Sequence, residues 1–363
     1  MKMPTKFRSF GFPENLSEVV IDLGSYQTRV MVATDSEPTI VPSCMVQTRE
    51  DSKVISIGQD AKEIVGRSAI DLEVVSPIQE GNFTDYRLAK LFLRYCFAES
   101  IPSKAFFFVT PQMNEVQYRA LLKITRDLGI HHTILLVRPL IAALAKQVVP
   151  TLHSASSLQL LIDCGYESTT FSILQFEKVF HFHRVWYGGK DLTQDIQHLL
   201  KIKFHLEIGS QSAERLKQEC AHVLMDRKES FSGLLNPPEI SKKDHFVVVR
   251  GRDVMSSLPK SMKLSAEEFR PMFEQYVESV IDQITILTEE LGPELIEELI
   301  NTGFLVFGGM AVVDMLSQRI EERYGTSVRR PPYPDLLYHQ GFKEFLQLPN
   351  NQQKKCYFVP DWL

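Results

Sequence analysis

Apolar residues along this chain recur in two rhythms. Short apolar runs bounded by Gly, Pro or Asp predict strands, and apolar residues three and four apart predict helices. Residues 18–33 predict a hairpin, 39–47 and 53–57 short strands, and Gln59 to Val65 a brief helix ended by Gly66 and Arg67. From Asp85 to Phe97, Leu88, Leu91, Phe92 and Tyr95 stand at i, i+3, i+4 and i+7, the spacing of an amphipathic helix. Ala105-Phe106-Phe107-Phe108-Val109 is apolar throughout, as a strand covered on both faces must be, and Pro111 stops it. A helix from Asn114 to Leu128 ended by Gly129, a buried strand at 133–137 and a helix from Leu140 to Val149 follow. This β-α-β-α order implies a central parallel sheet with helices on its faces.

The second half repeats the theme. A second hairpin is predicted at 158–175, a strand near 178–186 and helices at 190–203 and 210–225. A loop rich in Ser, Gly and Pro (230–238) leads to a strand at 245–250. Ser265, with Glu268 at capping-box spacing, opens a long helix that continues past Ile286. Phe304-Leu305-Val306-Phe307 reads as a buried strand, which Gly308-Gly309 turns into a helix at 311–324.

Composition narrows the class. The 363 residues are long for one core and comfortable for two α/β domains. A hydrophobic content of 44% with 23% charged residues is that of a globular protein, and a net charge of −5 argues against a protein that coats nucleic acid. Cys44, Cys96, Cys164, Cys220 and Cys356 show no metal-binding or disulfide spacing, which points to a reducing cytoplasm. No run of about 18 apolar residues and no leader with a cleavage site is visible, so the chain is expected to stay inside the cell. Near the start, Met3, Phe7 and Phe10 fall at helical spacing among Lys2, Lys6 and Arg8. That pattern describes either a short interfacial anchor or a frayed tail.

The most informative chemistry lies in two turns 141 positions apart, Ile21-Asp22-Leu23-Gly24-Ser25-Tyr26-Gln27-Thr28 and Ile162-Asp163-Cys164-Gly165-Tyr166-Glu167-Ser168-Thr169. Each follows an apolar run and leads into another, so one fold element is used twice. Such a hairpin offers backbone N–H groups and small hydroxyls to a phosphate chain, and a carboxylate at its strand end can hold Mg²⁺ through water. A single turn of this kind also describes an ordinary hairpin, because Asp and Gly are common turn residues. Two of them facing each other make a nucleotide clamp. Among the ten histidines no Ser-His-Asp or metal-binding arrangement is evident; His131-His132 and His181-x-His183 read as surface or satisfied strand residues.

A wider series of segments is similar to the actin, sugar-kinase and heat-shock-chaperone ATPase superfamily, and within it most resembles the bacterial actin MreB family. The segments are IDLGSYQT, IGQDAKEIVGR, SPIQEGNFTDY followed by LRY, GGKDL, IGSQSAERLKQE, GRDVMSSLPKSMKLSAEEFR and NTGFLVFGGMAVVDMLSQRIEERYG, in the family's order over roughly residues 18 to 330. The resemblance implies an α/β, actin-like ATPase fold with two similar ribonuclease-H-like domains and a nucleotide cleft between them. It implies a basic, aromatic N-terminal tail at 1–16, domain I at 17–155 with a small subdomain at about 34–66, and domain II at 156–330 with one at about 187–250. Residues 331–363 would return to domain I and add a tail with Phe358 and Trp362 exposed or docked.

By the same resemblance the chain would bind ATP with Mg²⁺ and assemble with itself into protofilaments at the inner face of the cell membrane. Its role would be cell shape or scaffolding, with cell-wall or morphogenetic proteins as further partners and no nucleic acid. KFRSFGF resembles the family's short membrane anchor, with Phe7, Phe10 and Phe12 as the lipid contacts. Gly24, Ser25, Tyr26 and Gln27 would wrap the β- and γ-phosphates, Ser25 and Thr28 would donate hydroxyls, and Asp22 and Asp163 would orient Mg²⁺ through water, Asp163 also being a catalytic candidate. Gly165, Tyr166, Glu167 and Ser168 would form the facing loop, and Gly188 and Gly189 the start of the following helix. Glu214 and Lys217, three apart on one helix face, would reach the ribose and adenine; taken alone they describe a solvated pair. Gly308, Gly309 and Met310 would bring backbone to the base or α-phosphate at a helix N-terminus.

Three departures from the family pattern carry consequences. The second turn lacks the Gly-Gly-Gly-Thr-type run, and Glu167 adds like charge beside a polyphosphate, worth about 1–4 kcal/mol at 4 Å. The family's Glu-Glu-Pro segment, whose glutamate orients the attacking water, is here Val137-Arg138-Pro139, which predicts turnover slowed by about two to four orders of magnitude. Arg138 can instead stabilise phosphate charge. In the C-terminal region Pro331-Pro332-Tyr333-Pro334 and Tyr338-His339-Gln340-Gly341-Phe342 replace a small-residue run, which predicts an altered hinge. Two functions remain in view: an MreB-type filament with weak or lost hydrolysis, and a non-polymerising pseudo-ATPase serving as adaptor or regulator of a filament or morphogenetic complex.

Overall fold

The computed structural model describes residues 18–66, 71–79, 81–98, 100–145, 158–221, 224, 245–360 and 362. The expected N-terminal anchor with Phe7, Phe10 and Phe12 and the expected 230–238 loop lie outside these residues. The chain divides into two units, one of residues 1–157, 172–182 and 336–363, the other of 158–171 and 183–335.

The first hairpin forms as the apolar runs require, with β1 (Glu18–Asp22) antiparallel to β2 (Gln27–Val32) and Asp22 opposite Arg29. The strand expected at 39–47 is two strands, β3 (Thr39–Pro42) and β4 (Met45–Thr48), parted at Ser43-Cys44. They are followed by β5 (Val54–Ile57), α1 (Gln59–Ile64), β6 (Leu72–Val75) and the small ribbon β7 (Ile78–Gln79) with β8 (Asn82–Phe83). Helix α2 (Tyr86–Cys96) starts where the Asp85 carboxylate accepts from the Leu88 amide and buries Leu88, Phe92, Leu93 and Tyr95. Then come β9 (Lys104–Val109), α3 (Glu115–Leu128) with a capping box between Asn114 and Gln117 and left-handed Gly129 at its end, and β10 (His132–Val137). The next helix, α4 (Arg138–Ala143), begins two residues earlier than expected, because Pro139 fits a first helical turn.

The second hairpin comprises β11 (Gln159–Cys164) and β12 (Thr169–Gln175), followed by β13 (Lys178–Val185), α5 (Gly189–Phe204), β14 (Leu206–Glu207) and α6 (Ser210–Ala221). The strand expected at 245–250 extends as β15 (Phe246–Asp253) and turns back into β16 (Pro259–Ser265), which the sequence pattern did not reveal. The Ser265 hydroxyl accepts from Glu267 N and opens a single 3₁₀ turn (Ala266–Phe269), not a capping box; α7 (Arg270–Glu289) follows. Next are α8 (Pro293–Thr302), β17 (Phe304–Phe307), a 3₁₀ turn at Gly309–Val312, α9 (Asp314–Tyr324), β18 (Val328–Arg329), α10 (Leu337–Gln347) and α11 (Asn350–Gln353).

Two five-stranded sheets have the same order. The first runs β10-β9-β1-β2-β3 and the second, taken from its other edge, β18-β17-β11-β12-β13. In the first, β1, β9 and β10 are parallel; in the second, so are β11, β17 and β18. The duplicated turns therefore sit on a duplicated sheet. Two three-stranded sheets, β5-β4-β6 and β14-β15-β16, complete the units.

In the first unit a core of Val19, Ile21, Val30, Phe92, Leu93, Phe97, Ala105 and Phe107 fills one face of the sheet. On Phe106, which alternates away from that face, sit Phe342 and Phe345 of α10, with ring centroids at 5.0 and 5.9 Å. Phe358 and Trp362 both lie against Tyr118 of α3, so the tail is docked there. In the second unit Phe269, Phe273, Tyr276, Val277, Ile284 and Leu305 are buried.

Candidate functional site

The first turn closes tightly. A Cβ on Gly24 would stand 2.4 Å from the Gln27 carbonyl oxygen, so this position tolerates only glycine. The Ser43 hydroxyl donates to the Gly24 carbonyl at 2.6 Å and lies 3.0 Å from the hydroxyl of fully buried Thr28. Thr28 is thus turned into the protein, while Ser25 and Gln27 are half-buried. Lys62 reaches the Tyr26 hydroxyl at 3.4 Å.

Asp22 ends β1 and is 6% exposed. Its Oδ1 accepts a hydrogen bond of 2.5 Å from Nη2 of Arg138, which also donates to the Leu23 carbonyl at 3.3 Å. The guanidinium lies over the Tyr338 ring, 5.1 Å from its centroid. Strand β10 delivers Arg138 to this point, because β9 separates it from β1 by one parallel strand and all three end together. Sequence reading gave Asp22 a Mg²⁺-orienting role and Arg138 a separate departure from the family pattern, whereas the fold makes them one ion pair.

In the second unit the predicted residues converge. The Gly165 amide donates to Ser168 O at 3.0 Å, closing the turn. The segment before α5 packs directly on it: a Cβ on Gly188 would meet the Tyr166 and Gly165 carbonyl oxygens at 2.6 and 2.8 Å. Gly189 N donates to Gly165 O at 3.1 Å and Lys190 N to Tyr166 O at 2.7 Å, while Gly188 N is bonded to the Asp191 carboxylate. These N–H groups at the start of α5 therefore serve the turn itself. Glu167 extends to Lys190 Nζ at 3.1 Å, which offsets the like charge expected beside a polyphosphate.

Glu214 and Lys217 are not a solvated pair. They are 7% and 3% exposed and joined at 2.7 Å. Lys217 also donates to Gly189 O at 2.7 Å, and Glu214 accepts from Thr193 at 2.8 Å and from Gln218 at 3.2 Å. Burial pushes the Lys217 pKa down, with the Glu214 charge pulling the other way. The Tyr166 ring lies 5.5 Å from the Lys217 ammonium, and Met310 is buried, with its sulfur 2.9 Å from where a Gly189 Cβ would stand.

Gly308 has φ +93°, and a Cβ there would meet Asp163 Oδ1 and Cys164 O at 2.5 Å each, so it binds the end of β17 to the end of β11. After it comes one 3₁₀ turn in place of the expected helix N-terminus; Gly309 is exposed, with no heavy atom within 4 Å of its Cβ position. Gly309 is thus the open backbone position of this group. Ser43, Thr193 and Lys190, each bonded to a predicted site residue, escaped the sequence reading. Only Lys190 had a signal, its place in the GGKDL segment.

At the first turn the donor set does not fit a resident Mg²⁺. Asp22 already faces a guanidinium, and among the described residues no group of three or more His, Cys, Asp or Glu side chains could hold a metal ion. Nor is there, among them, a helix long and apolar enough to cross a membrane.

A family model described as MreB/Mbl protein matches residues 16–354. The cell shape-determining protein Mbl of Bacillus subtilis is 23% identical over 313 residues, 84% of this chain and 88% of that protein. The cell shape-determining protein MreB of Escherichia coli is also 23% identical, over 90% of this chain and 91% of its own length. Among solved structures, MreB5 of Spiroplasma citri bound to ADP superposes with a TM-score of 0.81 at 21% identity, covering 94% of this chain and 98% of that one. The MamK double helical filament gives 0.69 at 15% identity, over 92% and 100%. The two equivalent sheets with their paired turns are an actin-like fold, and the chain belongs to the MreB/Mbl family.

Proposed function

We propose that this chain is an MreB-type, actin-like cytoskeletal protein that binds ATP, assembles into filaments at the inner face of the cell membrane and hydrolyses nucleotide slowly or not at all. The observation that carries the slow hydrolysis is the ion pair between Asp22 and Arg138 at the end of the first hairpin strand. Arg138 stands in the segment where the family pattern has its water-orienting glutamate, and it neutralises the carboxylate of the phosphate turn. An attacking water there meets a cation and no free base. Relatives support the assembly part: two are named for cell shape, one solved relative is a double helical filament, and MreB5 has been solved with ADP and with AMPPNP. In the first unit nucleotide would be gripped by backbone at Gly24 to Gln27; in the second, Gly309 offers open backbone, whereas Glu214 and Lys217 would act through the packing they provide under Gly189.

The pair equally suits an adaptor that holds the fold without turnover, and sedimentation separates the two readings. Purified protein is spun at high speed with Mg-ATP, Mg-ADP or no nucleotide, and phosphate release is read on the same samples. Pelleting promoted by ATP with little phosphate release is the expected result. Protein that stays in the supernatant under all three conditions would sink the filament reading in favour of the adaptor. The membrane component has its own test. Full-length protein should float with vesicles containing anionic lipid, and replacing Phe7, Phe10 and Phe12 by Ser should abolish flotation.

A further inference from the structure

We propose that Arg138 is the resident counter-cation of the first turn, so that a nucleoside polyphosphate binds this chain without a divalent metal ion. The inference rests on the nucleotide reading above and concerns what neutralises Asp22. A carboxylate beside a polyphosphate repels it unless a cation lies near both. In this fold that cation is part of the chain. The guanidinium is held on three sides: by Asp22 at 2.5 Å, by the Leu23 carbonyl at 3.3 Å and by the face of Tyr338 at 5.1 Å. It is rooted at the first residue of α4, directly after a strand that is hydrogen-bonded along its length. A guanidinium keeps its charge at any working pH, and its planar fork matches both carboxylate and phosphate oxygens. A divalent ion entering the same place would face that fixed positive charge, so the metal and Arg138 exclude one another.

The test is equilibrium binding of a fluorescent ATP analogue to the full-length protein, once with excess EDTA and once with excess Mg²⁺. The two dissociation constants should agree within about threefold for the wild type. Arg138→Gln should bind at least about tenfold more weakly in EDTA and recover in Mg²⁺, whereas Arg138→Lys should keep most of the metal-free binding. Wild-type binding that needs Mg²⁺ overturns the inference and leaves the nucleotide reading standing; no binding of the analogue under either condition overturns both. A second readout needs no nucleotide. Mg²⁺ alone should leave the wild-type melting temperature unchanged and raise that of Arg138→Gln, and a rise in the wild type would count against the proposal. Should Arg138→Gln fail to fold, the wild-type comparisons alone still decide.

Discussion

Lys217 and Glu214 set the chemistry of the second unit at the scale of single residues. Each has partners besides the other: Gly189 O for the lysine, Thr193 and Gln218 for the glutamate. Removing one member therefore leaves a buried charge uncompensated. Lys217→Met is expected to destabilise the protein by about 3–5 kcal/mol, and adding Glu214→Leu should restore much of that loss. Urea midpoints of the two variants check this; a neutral Lys217→Met would show that the pair contributes nothing to folding. The spacing of these residues was readable as one helix face. That the face points inward was not, because α5 covers it, and the covering contacts come from residues more than twenty positions earlier. Asp22 and Arg138, 116 positions apart, show the same limit: each was identifiable by its motif, their pairing only by the order of β10, β9 and β1.

Among elements, the seat of α10 on α4 is the most demanding. A Cβ on Gly341 would stand 1.8 Å from the Ile141 carbonyl oxygen, so the two helices touch backbone to backbone. Gly341→Ala is expected to lift α10, draw Phe342 and Phe345 off Phe106, and cost about 2 kcal/mol or more. Limited proteolysis should then cut the 331–363 segment before the rest of the chain; an unchanged digestion pattern would argue that α10 adjusts in place. Elements with uniform apolar runs, such as β9 and β17, were legible because burial on both faces leaves no polar interruptions. Strands β14 and β16 were not, since the first has two residues and the second alternates half-buried Lys260 and Met262 with exposed Ser261 and Lys263. Helices α8 and α10 were missed; each starts at or after a proline, Pro293 at the first turn of α8 and the proline run at 331–334 ahead of α10.

For the whole molecule, buried and half-buried tyrosines and buried thiols fix how it responds to alkali. Burial pushes Tyr95, Tyr166 and Tyr187 up to about 12 from an ordinary 10.0. It pushes the Cys164 thiol up to about 12 from 9.0, and Tyr276 well above its usual value. Groups with a raised folded pKa contribute stability that is complete below the unfolded value and is lost as pH rises toward the folded one. Lys217, with a lowered pKa, works the other way, its burial penalty easing as pH rises toward an ordinary lysine value. The raised tyrosines and thiols outweigh the one lysine, so the urea midpoint should fall between pH 9 and about 12, with tyrosinate absorbance appearing together with unfolding. Tyrosinate that appears well before unfolding would contradict the burial of these rings. At this scale the sequence was most informative, because a duplicated turn on a duplicated sheet writes its signature twice.

The Asp22–Arg138 pair also bears on how such a chain can change over time. Arg138→Glu would set a carboxylate against a carboxylate where opposite charges now lie 2.5 Å apart. One of them would have to take up a proton or recruit a cation before the strand ends could close again. Losing Asp22 first is no easier, since it strips the guanidinium of its anion. A reversal at Arg138 therefore succeeds only together with a new source of positive charge, so the exchange works as a ratchet: the hydrolytic apparatus is simple to lose and harder to regain.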